Sequence, residues 1–511
     1  MSRSVVVIGA GISGLTAAFW LSRSVADVTV LEAAPFPGGT MRTLVRDGWL
    51  VETGPNSALE TTPLIGQMLD SLGVRGEQRY ADASSNKRYI LRGGRLHPLP
   101  MSAGAFLSTR LWTPSGKLRL LKEPFVGRSE REESIAEFVR RRLGNEFLDY
   151  AINPFVAGVY AGNPEQLSVR HAFPKLYALE EKYGGLVKGM IRGARERKKR
   201  AETAKDRAKM FSFARGMQTF PDAIARSLGG RVRTSAPVTG ISVDPGRPSS
   251  GVGGGGAEGF DGAEAGLGGT TAGRGGEKGR TGGFVLTTPS GDIRADSIVL
   301  ATPAVPAADL LESVLATPAV PAADLLESLD RAAARVIRGI EYPPVAEVFL
   351  GFRKEQLGRE LDGFGFLVPA IEKRRILGTI WSSALFEGRA PEGHVALTTF
   401  VGGSRQPALA AKDESELVEM VVTELRSLMG VTGHPVFTHV AKWERAIPQY
   451  TMGYQAVVNA VDGLERDHPG LFVCSNYRGG IAVGDCVMSG ERIAKRVTEF
   501  LGGTTQAGAH V

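Results

Sequence analysis

The chain opens on an unbroken apolar run, Val5 to Ile8, which ends at a cluster of glycines and gives way to helical periodicity. An all-apolar run bounded by glycine reads as a strand buried on both faces, the pattern of a parallel sheet. A helix is expected from about Ile12, and a second apolar strand, Val28 to Leu31, ends at Glu32. Between Glu133 and Leu148 apolar residues fall at helical spacing (Ile135, Phe138, Val139, Leu143, Phe147 and Leu148), which predicts an amphipathic helix. Pro154 and the glycines of PFVAGVYAGNP then break the chain into turns. Ala346–Phe352, Gly363–Val368, Leu377–Ser382 and His394–Val401 read as successive strands of an antiparallel sheet. Ser415–Met429 reads as a helix, Phe472–Cys474 as a short buried strand, and Met488–Leu501 as the closing helix. The class is α/β at the start of the chain and α+β taken whole.

Two segments depart from this pattern. Pro245 to Gly283 holds 17 glycines in 39 residues and almost no large apolar side chains, so it cannot offset its own ordering entropy and is read as a disordered loop between two strands. VLATPAVPAADLLES occurs at Val299–Ser313 and again at Val314–Ser328. A period seen only twice is no solenoid. One copy serves as strand plus helix and the other is an insertion, with the choice between them open.

The 511 residues allow two or three domains, and 42% apolar content is ordinary for a globular protein. No leader pattern precedes the first strand, and no run of about 18 apolar residues occurs, so neither a signal peptide nor a spanning helix is expected. The two cysteines, Cys474 and Cys486, make no disulfide framework and fit a reducing cytoplasm. They lack C-x-x-C spacing and read as inert thiols. The net charge of +7 is carried by Lys188–Lys209, with ten Lys or Arg against three acids. That arm is either a solvated helix or a contact for anionic lipid headgroups or an acidic partner. No nucleic-acid-binding motif accompanies it. His434 and His439 do not have metal-ligand spacing and are taken as structural.

The chemistry is concentrated at the two ends. Gly9, Gly11 and Gly14 in GAGISG lie between a strand and a helix, where glycines let the backbone approach a pyrophosphate at a helix N-terminus. Glu32 stands where an acid accepts the ribose hydroxyls, which favours an unphosphorylated adenosine ribose. The Gly38-Gly39 pair after the acidic strand points to FAD rather than a nicotinamide. Near the other terminus, SNYRGGIAVGDC joins a strand, a Gly-Gly turn and a helix, whose first amides can face the flavin ring. Cofactor motifs at both ends imply an FAD domain that is discontinuous in sequence.

Together with GPNS, KRYI, PFVAGVYAGNPEQLSV, GFGFLVP, FVGGSRQP and IPQY, these motifs make the chain resemble the oxygen-dependent protoporphyrinogen oxidase family of the flavin amine-oxidase superfamily. The coproporphyrinogen III oxidases are its near branch. The resemblance implies a Rossmann-like FAD-binding domain in three parts (1–87, 211–300 and 441–511), a helical membrane-facing domain (88–210) and an antiparallel-sheet substrate domain (301–440). It implies FAD held at Gly9, Ala10, Gly11, Ile12, Ser13 and Gly14 (pyrophosphate), Glu32 and Ala33 (ribose), Gly39 and Arg42, Val238 (adenine), Gly54, Pro55, Asn56 and Ser57 (flavin side), Trp443, Asn476, Ile481, Ala482 and Val483. It implies Arg88 on a substrate propionate, the Gly158 backbone at the reacting edge, and Leu350, Leu367 and Phe386 on the macrocycle. The implied reaction removes six electrons from a porphyrinogen, with dioxygen as acceptor and hydrogen peroxide as product. A membrane surface, a ferrochelatase-type partner and a homodimer are further partners the resemblance allows, with a cytoplasmic location, peripheral on the membrane. Two departures stand out. Phe36 replaces an arginine that relatives carry near the pyrophosphate, so that Arg42 supplies the charge or none does. Cys474-Ser475-Asn476 replaces Ala-Gly-Asn. Competing readings are an amine oxidase or carotenoid desaturase on the same frame, and an FAD-binding scaffold without catalysis.

Overall fold

The computed structural model describes residues 3–25, 27–189, 192, 208–244, 283–312 and 329–502. Most of the basic arm, the glycine-rich stretch after Asp244 and the second copy of the duplication lie outside the described residues. The first copy is described through Glu312. It forms the strand Ser297–Leu300 with the residues before it, and then the helix Ala304–Glu312.

A five-stranded parallel sheet is built from segments hundreds of residues apart, in the order Val232–Arg233, Asp27–Leu31, Ser4–Ile8, Ser297–Leu300 and Leu471–Val473. The apolar run at Val5 is buried on both sides because core lies on both faces. Val5, Val7, Val28, Val30 and Val299 enter one cluster, while Val6, Ile8, Ile298 and Leu300 enter the other. The helix Ile12–Leu21 packs closely on the closing helix, which begins at Val483 rather than Met488 and runs to Phe500. A Cβ on Gly490 would stand 2.8 Å from Thr16 Cβ, so glycine there lets the two helices approach.

A seven-stranded sheet runs in the order Phe437–Trp443, Val345–Arg353, His394–Gly402, Gly378–Ile380, Gly363–Leu367, Lys87–Arg92 and Arg95–Pro98. All pairings are antiparallel except that of Gly363–Leu367 with Lys87–Arg92. The expected boundaries at 88 and 440 therefore cut through strands of this sheet. The hairpin 87–98 belongs with the substrate-side sheet, because a parallel pairing can recruit a strand from any distance along the chain. The outer face of the sheet is covered by the helix Glu414–Met429, through Leu417, Val421 and Leu425.

The expected helix 133–148 is shorter than its periodicity suggests, spanning Ile135–Arg142. Ser134 and Glu137 form a reciprocal capping box at its start, and Gly144, with φ +95°, turns the chain after its end. A buried ion network ties it to its neighbours. Arg142, fully buried, meets Glu123 Oε1 at 3.0 Å and Glu180 Oε1 at 2.9 Å, while Arg141 also contacts Glu180 and Glu133. This network fixes the helical layer of the molecule.

Candidate active site

The glycines of the first turn divide by role. Gly9 has φ +103°, and a Cβ there would stand 2.9 Å from Ala301 O; a Cβ on Gly14 would stand 2.1 Å from Gly9 O. Both are demanded by packing. Gly11 meets nothing within 4 Å, so the turn is open at the point where a pyrophosphate would sit. Gly11 caps the first helix with no side chain bonded to its first-turn amides, and Ile12 and Ser13 follow directly. Gly38 donates to Ala10 O at 2.8 Å, and a Cβ on Gly39 would meet Gly11 Cα at 3.2 Å, so the second glycine pair lies against the first turn. Glu32 is fixed at the strand end by the amides of Ala10 and Ala34, at 2.6 and 2.8 Å, beside Ala33. The Ala236 amide bonds Glu32 O, which places the segment leading to Val238 next to Glu32.

Two further turns complete the cradle. In Gly54–Ser57 a Cβ on Gly54 would lie 2.0 Å from Thr40 O, Asn56 donates to Gly54 O at 3.2 Å, and Pro55 and Ser57 are half-buried. Trp443 Nε1 donates to Thr53 O at 2.6 Å and anchors this turn from the edge strand of the seven-stranded sheet. At the C-terminal turn the Tyr450 hydroxyl donates to Asn476 O at 2.6 Å and accepts from the Gly480 amide at 3.1 Å. Ile481 and Ala482 come next, and Ala482 caps the closing helix without a side-chain cap, leaving the amides from Val483 onward available. The open turn at Gly11, the oriented acid and two uncapped helix starts suit an extended dinucleotide such as FAD.

Phe36, where relatives are expected to carry an arginine, is itself in contact with one. The Arg42 guanidinium stacks 3.5 Å over the Phe36 ring, so the aromatic residue holds an arginine six positions later.

A cavity of about 1350 Å³ adjoins the C-terminal turn and brings together Arg88, Gly158 and Leu367 with Ile481 and Ala482. A Cβ on Gly158 would press on Leu367 Cδ2 at 2.5 Å, so these two residues meet across the wall. Arg88 lies 5.6 Å from the Phe364 ring centre and has no carboxylate partner among the described residues.

Two expected residues lie elsewhere. Leu350 is fully buried on the outer face of the sheet, against Leu417 and Val421. Strand alternation sends even-numbered residues of Val345–Arg353 outward and odd-numbered ones to the opposite face, where Phe349 packs on Trp49 and Val51. Phe386 lines a separate small enclosed pocket with Glu52, Asn56 and Arg389, because the short helical turn Ser382–Leu385 carries it under the Gly54 turn.

In the sequence, Tyr450 stood out only as the last residue of IPQY, and Tyr454 not at all. The hydrogen bonds that tie both hydroxyls to the Asn476–Gly480 turn have no signal in spacing. Burial pushes the Cys474 thiol up to about 12 and Cys486 to about 11, which suits unreactive thiols. No group of metal-ligating side chains occurs among the described residues.

The pattern for flavin containing amine oxidoreductases matches residues 12–262 and 276–498. The chain belongs to that family and is an FAD-dependent oxidoreductase. Within it, the chain groups with porphyrinogen oxidases. It is 33% identical to the mitochondrial protoporphyrinogen oxidase of Nicotiana tabacum, over 98% of this chain and 95% of that protein. It is 26% identical to coproporphyrinogen III oxidase of Bacillus subtilis (strain 168), over 98% of each. In fold it is similar to a crystal structure assigned to protoporphyrinogen oxidase from Exiguobacterium sp. 255-15, with TM-score 0.73 and 22% identity, covering 97% of this chain and 99% of that one. It is also similar to reduced UDP-galactopyranose mutase, with TM-score 0.68 and 15% identity, covering 98% and 96%.

Proposed function

We propose that this enzyme oxidises protoporphyrinogen IX to protoporphyrin IX in haem biosynthesis, removing six electrons in three two-electron steps with dioxygen as final acceptor and hydrogen peroxide as product. The observation that carries this reading is the large cavity shared by Arg88, Gly158, Leu367 and the Ile481–Ala482 end of the FAD cradle. Bound FAD supplies the two-electron acceptor. The protein's part is to orient a macrocycle against it and keep the site apolar. Leu367 presents apolar surface, and Arg88 suits a propionate through paired charge-assisted hydrogen bonds. Coproporphyrinogen III, with four propionates, is the second reading, favoured by further cations on the same cavity, Arg170, Lys175 and Arg492, beside Arg478 and Arg496, which pair with Glu465.

Aerobic turnover with each porphyrinogen, read by porphyrin fluorescence and peroxide yield, separates the two. No gain over autoxidation with either substrate would overturn the proposal. Arg88→Ala is expected to raise KM with FAD content unchanged; loss of FAD would show that Arg88 serves the cofactor instead.

We also place the membrane-facing surface on residues 101–125. Met101, Leu107, Leu118, Leu121 and Phe125 are 62–89% exposed there, alongside exposed Arg110 and Lys122. No helix among the described residues is long and apolar enough to cross a membrane. Co-sedimentation with anionic liposomes that is abolished by Leu121→Glu and Phe125→Glu together would support a peripheral contact; unchanged binding would remove it.

A further inference from the structure

The strand Val345–Arg353 carries one acid, Glu347, on the face opposite that of Leu350. It is 8% exposed, and its Oε2 has no hydrogen-bond partner among the described residues. A buried carboxyl without a partner is costly and rare, and one retained in a site calls for a partner that the bare chain does not supply.

The neighbours show why none of the described residues serves it. Glu52, across from it on the strand Trp49–Glu52, is saturated. It pairs with Arg389 at 3.0 Å, accepts from the Met217 amide at 2.9 Å, and accepts from Thr43 Oγ1 at 2.6 Å. The Arg389 charge is matched by Glu52, and its Nη1, though without a hydrogen-bond partner among the described residues, makes no ion pair with Glu347. The cross-strand neighbours of Glu347 are Phe400 and Ala441, which have no polar side-chain atoms. Two residues beyond Ala441, Trp443 directs its N–H to Thr53 O. Thr398, on the same face, shares its hydroxyl proton with Ser382 at 2.8 Å. The next titratable group on this face is His439, opposite Phe349. Burial and the Glu52 carboxylate both push the Glu347 pKa well above the ordinary carboxylate value.

Location gives this acid a partner. Glu52 stands two residues before the Gly54–Ser57 turn on the flavin side, and Phe400, cross-strand from Glu347, lines the large cavity. Glu347 thus sits between the turn that faces the flavin and the chamber that faces the substrate. We propose that Glu347 is a hydrogen-bonding and proton-holding residue of the FAD site, supplying the bound cofactor with a bond that its buried neighbours on this face are not free to make.

The test uses the full-length holoprotein. Glu347→Gln preserves size and hydrogen-bonding capacity but cannot titrate; Glu347→Leu preserves bulk alone. Both are expected to fold, since each removes a buried unpartnered acid. The visible spectrum of bound FAD is recorded across pH, and the FAD Kd is measured by titration of apoprotein. Wild type is expected to show a titration in the flavin spectrum that Glu347→Gln lacks, and Glu347→Leu to raise the FAD Kd on the order of tenfold, the loss of about one hydrogen bond. The same spectral titration in wild type and Glu347→Gln, or an unchanged Kd in Glu347→Leu, would overturn the proposal. A residue that only fills space would alter thermal stability and leave the pH dependence of the spectrum unchanged.

Discussion

Tyr450 offers the sharpest test of how the cradle is held. Its hydroxyl bridges Asn476 O and the Gly480 amide across the turn before the closing helix. The ring is 4% exposed, so little water is at hand to replace it. Tyr450→Phe removes two hydrogen bonds and changes almost nothing else in shape. At about 1 kcal/mol net for each bond the loss is about 2 kcal/mol, which corresponds to roughly a 30-fold change in an equilibrium constant. Because both bonds fix the turn that presents Ile481 and Ala482, that loss is expected to fall on FAD affinity, measured by titrating apoprotein with FAD and following flavin fluorescence. Tyr454→Phe is the control. Tyr454 is equally enclosed, but its hydroxyl makes one bond, to Tyr477 O at 2.7 Å, and it is expected to cost about 1 kcal/mol of folding stability with little change in FAD Kd. If Tyr450→Phe lowers the melting temperature like Tyr454→Phe and leaves the FAD Kd where it was, the turn is not held by Tyr450 for the cofactor, and the reasoning fails.

The same geometry sets three other outcomes. Arg142→Ala leaves the buried Glu123 without a cation and loosens the hold on Glu180, and is expected to cost about 3–5 kcal/mol in urea unfolding. Gly14→Ala places a Cβ 2.1 Å from Gly9 O, a backbone atom that cannot swing aside, so the purified variant should carry little or no FAD. Burial raises the Glu180 pKa, but hydrogen bonds from Arg142 and Arg141 outweigh it and hold the carboxyl below its ordinary 4.5. Its contribution to stability is therefore present above pH 4.5 and lost as pH falls through the folded value, so the gap in stability between wild type and Glu180→Gln should narrow on acidification.

Much of the candidate cofactor site was legible in the sequence because its constraints are local. Gly9 and Gly14 are glycine because a Cβ would strike nearby backbone at the turn, and Glu32 ends the strand whose start the apolar run already marked. Period-2 patterning likewise located four strands of the seven-stranded sheet to within a few residues, and missed Lys87–Arg92, Arg95–Pro98 and Phe437–Trp443. Three things were not local. The strand at KRYI joins Gly363–Leu367 in parallel, a pairing that no spacing announces, and it moves Arg88 out of the helical layer and into the sheet that walls the cavity. Strand alternation alone says that Leu350 and Glu347 face opposite ways, but only the packed helix Glu414–Met429 decides that Leu350 is on the outer side. The stacking of Arg42 on Phe36, across a loop, is an aromatic contact visible only in three dimensions. The sequence by itself determined the dinucleotide turn, the acid, the strand and helix content and the resemblance to a family, because each rests on neighbours along the chain. Tertiary structure decided which side chains share a cavity and which carboxyl is left without a partner, because those depend on segments brought together from hundreds of residues apart.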